Sequence, residues 1–89
     1  MLEPKYTNEF LKCLKRDKNR GLDMTLLNEV MNKLVNEEIL DEKYRDHALG
    51  GNYIGKRECH IKPNWLLVYR SENNKIIFYR TGTHSDLFE

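Results

Sequence analysis

The chain has 89 residues, 33% of them charged and 39% hydrophobic, with a net charge of +1. This length makes one domain with a modest core, and so small a charge gives no global basic field, so a nucleic-acid partner would need a local cluster of cations. No run approaches the ~18 apolar residues of a membrane span. The opening residues Met1-Leu2-Glu3-Pro4-Lys5 also lack an apolar signal core.

Taken in order, residues 2–6 read as a short first strand, with Pro4 pointing to an edge. Thr7 or Asn8 caps a helix running to about Arg20, with Phe10, Cys13 and Leu14 as its apolar stripe and Gly21 as its stop. The opposite face, with Lys12, Lys15, Arg16, Lys18 and Arg20, is cationic; it is either solvated or a docking face for a large anionic surface. Asp23 caps a second helix. In it Leu27, Val30, Met31 and Leu34 fall at i, i+3, i+4 and i+7, and it ends near Asn36. The short link through Gly21 and Leu22 predicts a helical hairpin.

Residues 39–55 have no sustained period and hold Lys43, Tyr44, Arg45, Asp46, His47 and three glycines. A loop of this length in a small domain tends to be functional or mobile. Strands follow. Along residues 56–62, Cys59 and Ile61 point one way while Glu58, His60 and Lys62 point the other. Residues 65–69 are apolar on both faces, predicting a central strand, and residues 71–74 form a hairpin turn into a last strand ending at Arg80. The sum is an α+β fold, β-α-α-β-β-β, with the helical hairpin on one face of a largely antiparallel four-stranded sheet. The other face then carries His60 and Arg80, and the tail adds His84. The cysteines, Cys13 and Cys59, lie in no Cys-x-x-Cys pattern, so a reducing, cytoplasmic setting is expected.

All three histidines, His47, His60 and His84, fall in the second half, among Arg45, Lys56, Arg57, Lys62 and Arg80 and the aromatic Trp65 and Phe88. Cations interleaved with aromatics suit single-stranded nucleic acid, where cations hold phosphates and rings stack on bases. RNA brings its own nucleophile, the 2′-hydroxyl. Histidines can supply both the base and the acid, each worth ~10²–10⁴-fold. An arginine can stabilise the charge on phosphorus, with no metal or other cofactor required. Two other readings compete. The histidines could ligate zinc, although they lack zinc-site spacing, or each could be an ordinary surface or hydrogen-bonded residue. Trp65, opening a central strand, reads as partly core.

The runs Tyr44-Arg45-Asp46-His47-Ala48-Leu49-Gly50-Gly51, Arg57-Glu58-Cys59-His60-Ile61-Lys62-Pro63-Asn64-Trp65-Leu66-Leu67-Val68-Tyr69 and Arg80-Thr81-Gly82-Thr83-His84-Ser85-Asp86-Leu87-Phe88 resemble the YafQ branch of the RelE/ParE toxin superfamily. The similarity is close over most of the second half; the helical half matches in layout and length.

The resemblance implies a RelE-like, microbial-RNase-like fold. It also implies the toxin of a type II toxin–antitoxin module: a ribosome-dependent endoribonuclease cleaving mRNA in the A site and neutralised by a cognate antitoxin. Carried over by residue, it makes His47, His60, His84 and Arg80 catalytic and gives Trp65 and Phe88 the base-binding side. His84 is the expected proton-transfer residue at the nucleophile or leaving group. Lys56, Arg57, Lys62 and Asn64 join as substrate-binding candidates. Where the family commonly has an aspartate before the tryptophan, this chain has Asn64, which can hydrogen-bond but cannot carry a carboxylate charge. That departure motivates an alternative, a non-cleaving protein of the same fold acting through its antitoxin and, only through it, on operator DNA.

Overall fold

The computed structural model describes residues 1–88. β1 (Glu3–Tyr6) leads into α1 (Asn8–Asn19) and α2 (Met24–Val35). The side chain of Thr7 accepts the Phe10 N–H to start α1, and that of Asp23 accepts the Thr25 N–H to start α2, so both caps lie where the sequence puts them. β2 (His47–Ala48), β3 (Arg57–Lys62), β4 (Trp65–Glu72), β5 (Lys75–Gly82) and α3 (His84–Phe88) follow. The sheet order is β1-β5-β4-β3-β2, antiparallel throughout except for the parallel pair β1–β5.

Two expectations change. The sheet has five strands, because His47–Ala48, inside the segment read as loop, pairs with Glu58 and Arg57. Two residues followed by a glycine-rich turn carry no period-2 signal, so sequence could not show this strand. The tail, to which the sequence assigns no element beyond Arg80, forms a short helix over His84–Phe88 that packs on the sheet.

β4 is central, and its two faces serve two cores. Trp65, Leu67 and Tyr69 join Phe10, Leu27, Val30 and Phe78 under the helices. Leu66 and Val68 pack with Leu87 of α3, Leu49 and Tyr79 on the other face. The alternation therefore makes one strand both the floor of the main core and the floor beneath the histidine face.

Candidate functional site

Cross-strand pairing brings the histidines together. His47 pairs with Glu58, Glu58 with Val68, and Val68 with Arg80; in the next row His60 pairs with Leu66 and Leu66 with Gly82. Directly paired residues share a face, so His47, Glu58, His60 and Arg80 lie on the side away from α1 and α2. α3 then sets His84 and Phe88 beside them. The rings follow one another as successive neighbours: His47 to His60 is 6.3 Å between centroids, His60 to His84 6.1 Å, His84 to Phe88 6.1 Å and Phe88 to Tyr53 5.4 Å.

Each histidine is held differently. The His60 Nδ1 lies 3.2 Å from the Pro63 carbonyl. A carbonyl only accepts, so Nδ1 is the donor, and in the neutral ring this tautomer leaves the Nε2 lone pair open. His47 Nδ1–H likewise donates to the Arg45 carbonyl, at 2.7 Å. Its Nε2 lies 3.0 Å from Glu58 Oε2, an arrangement that is favourable only with a second proton between them. The Glu58 side chain is 6% exposed and its Oε1 has no hydrogen-bond partner. His84 is exposed, and its backbone N–H donates to Asn64 Oδ1 at 3.4 Å. Asn64 thus tethers the start of α3 through a bond that needs an acceptor oxygen but no charge.

Several expected site residues are placed elsewhere. Trp65 is 3% exposed in the main core, and its indole N–H donates to Thr81 Oγ1 at 3.0 Å, so it is not a free surface for a base. Arg57 pairs with Ala48 and Tyr69 and so faces the helix side, where its guanidinium meets Asp46 at 3.2 Å. Burial and Asp46 push the Tyr69 hydroxyl above its usual range, so it stays a donor to Asp46. Arg80 shares the histidine face, with its terminal nitrogens bonded and its Nε lacking a hydrogen bond. Its two terminal nitrogens donate to the Leu87 and Asp86 carbonyls at 2.7 and 2.9 Å, and Nε lies 2.9 Å from Glu9. In this structure the cation expected at the phosphate holds the end of α3. A register shift between His60 and Lys62 carries exposed Lys62 out of the histidine row and to the mouth of a neighbouring cleft. Lys56 stays near the row, its ammonium 4.4 Å from the Tyr79 ring centroid and 5.8 Å from that of Tyr53. Glu58 and Tyr53 are the additions sequence missed. Only Glu58 had a signal, its i−2 position from His60 on a strand.

A set of salt links fixes α3. Asp86 receives a bidentate contact from Arg20 at 2.6 and 2.9 Å, with Arg16 3.6 Å away, and caps the helix through the Thr83 N–H. Hydrogen bonding from Arg20 first, then Thr83 and the charge of Arg16, holds the Asp86 carboxyl well below its usual range. Part of the cationic face of α1 is therefore spent inside the molecule, leaving Lys12, Lys15 and Lys18 exposed. Among the described residues no group of three His, Cys, Asp or Glu side chains is placed to hold a metal ion.

The chain is 37% identical over 84 residues to the mRNA interferase toxin YafQ of Escherichia coli K12, covering 93% of this chain and 91% of that one. A copper-bound mutant toxin from Helicobacter pylori is 41% identical, with a TM-score of 0.95 over 99% of this chain and 100% of that one. The toxin chain of the E. coli DinJ–YafQ complex is 34% identical, with a TM-score of 0.93 over the whole of both chains. The family model for the bacterial toxin YafQ of type II toxin–antitoxin systems matches residues 2–89. On its fold and over nearly its whole length, the chain belongs to the YafQ family of type II toxins.

Proposed function

We propose that this toxin is a metal-independent endoribonuclease that cleaves mRNA in the ribosomal A site. The observation that carries the reading is the single line of His47, His60 and His84 on one sheet face. The similarity to the E. coli mRNA interferase toxin supports it.

In this reading the free Nε2 of His60 takes the proton from the RNA 2′-hydroxyl. The 2′-oxygen attacks the adjacent phosphorus, and His84 gives a proton to the departing 5′-oxygen. The products are a 2′,3′-cyclic phosphate and a 5′-hydroxyl. The His47–Glu58 pair holds a proton beside His60 and acts on the charge of the phosphate rather than as the base. Lys56 adds a second cation, and Phe88 with Tyr53 forms the stacking wall for a base. Arg80 positions α3. Exposed Lys12, Lys15 and Lys18 give a local cationic face for ribosomal RNA. The partner that silences the toxin is a cognate antitoxin, as DinJ is in complex with the E. coli relative. The setting is the bacterial cytoplasm, where ribosomes are.

Expression of His84→Ala tests the assignment. The variant should lose growth arrest while its thermal unfolding stays within about 1 kcal/mol of the parent, since His84 is exposed. Full toxicity from the folded variant would remove His84 from the mechanism.

A further inference from the structure

Next to the histidine line lies a cleft of about 570 Å³ between α2, the turn carrying Tyr44 and the outer edge of β3. Leu26, Tyr44, Ile61 and Pro63 give it apolar walls, and His60 is also among its lining residues. Lys43, Arg45 and Lys62 rim it. The one carboxylate among the lining residues, Glu29, is 3.8 Å from Lys33. β2 covers β3 only at Arg57 and Glu58, so from Cys59 onward the outer edge of β3 has no strand partner among the described residues.

Resting on the RNA-cleaving reading, we propose that this cleft is a subsite for the nucleotide next to the scissile phosphate, on the side opposite Phe88. Three features point to one nucleotide. Apolar walls with an aromatic ring suit a base, which has a π-face whatever its identity. The unpaired edge of β3 offers backbone donors and acceptors to the base edge. Three cations against one paired carboxylate suit a phosphate. Continuity supplies the register: His60 belongs to both the cleft and the histidine line, so a strand with its reacting phosphate at His60 and His84 has one neighbour toward Phe88 and the other toward the cleft.

The test uses uncleavable 2′-O-methyl oligonucleotides titrated into isotope-labelled protein and followed by NMR. A dinucleotide should shift the amides of His60 and His84. A trinucleotide extended at the 5′ end, or one extended at the 3′ end, should bind about tenfold tighter and add shifts at Ile61, Lys43 and Leu26. Lys43→Glu and Leu26→Asn, on different elements and outside the catalytic line, should each reduce that gain to about threefold or less and leave dinucleotide affinity unchanged. Equal affinity for both lengths, or a length effect that survives both variants, would overturn the subsite. If the variants lost affinity for an acidic antitoxin peptide while the length effect persisted, the cleft would be a protein-docking site instead. Failure of the dinucleotide itself to bind would strike the RNA-cleaving reading, and this subsite with it.

Discussion

At the scale of single residues, chemistry and support are separated by hydrogen bonding. His60 has one nitrogen fixed and one open, and His84 is anchored through its backbone with its ring exposed; His47 is held at both nitrogens. Replacing Glu58 with Gln should therefore act through His47. The amide oxygen can accept a hydrogen bond but carries no charge to balance an imidazolium, so we expect a fall in kcat of about ten- to a hundredfold with KM little changed, and a shifted pH profile. A uniform loss of folded protein, or an unchanged pH profile, would make Glu58 merely structural. The three histidines were legible in the sequence because few other side chains move protons near neutral pH. The partners of Arg57 and Arg80 were not. Which carboxylate or carbonyl a guanidinium meets depends on register and on a tail helix five residues long, neither of which leaves a pattern. Cys59 completes this scale: burial first, then nearby Asp46 and Glu58, raise its thiol far above the usual range, so alkylating reagents at neutral pH should leave it unmodified until the protein unfolds.

At the scale of elements, α3 is the part on which the site depends and the part with least stability of its own. A helix of five residues cannot persist alone, so tertiary contacts hold it. They are the burial of Leu87, the fork from Arg80 and the Arg16–Arg20–Asp86 cluster. Gly82 lets the chain enter this cluster. Its φ is +151°, and a Cβ there would meet Arg16 and lie 2.8 Å from Asp86 Oδ2. Gly82→Ala should cost about 2–3 kcal/mol and displace His84, lowering activity beyond what stability explains.

Asp86 carries a pH signature. Its folded carboxyl is depressed, so its contribution is fully present above the unfolded value near pH ~4 and is lost as pH falls through the lower folded value. Asp86→Asn should destabilise the protein by about 1–3 kcal/mol at neutral pH and flatten the acid limb of its stability curve below about pH 4; an unchanged acid limb would contradict the assignment. The helices α1 and α2, their caps and the strands β3 to β5 were readable because amphipathic period and capping chemistry are local. α3 was not, because it depends on contacts between residues far apart in sequence, such as Arg20 with Asp86, 66 positions away.

At the scale of the whole molecule, a net charge of +1 conceals a division of labour. Much of the charge is paired internally, including Arg16, Arg20, Arg57 and Arg80. What remains exposed on α1 lies far along the chain from the histidine line, so the proposed attraction to a ribosome and the proposed chemistry on RNA draw on different residues. Reversing Lys12, Lys15 and Lys18 to Glu together should raise the KM for programmed ribosomes and weaken its salt dependence, with kcat changed less.

The most direct measurement of the central claim is cleavage of an mRNA programmed on ribosomes, with free RNA beside it and chelator in a parallel reaction. The account predicts cuts in the A-site codon that need the ribosome, carry 5′-hydroxyl and 2′,3′-cyclic phosphate ends, persist in chelator and vanish with His84→Ala. No cuts by folded protein, or cuts that stop when metal is removed, would contradict it.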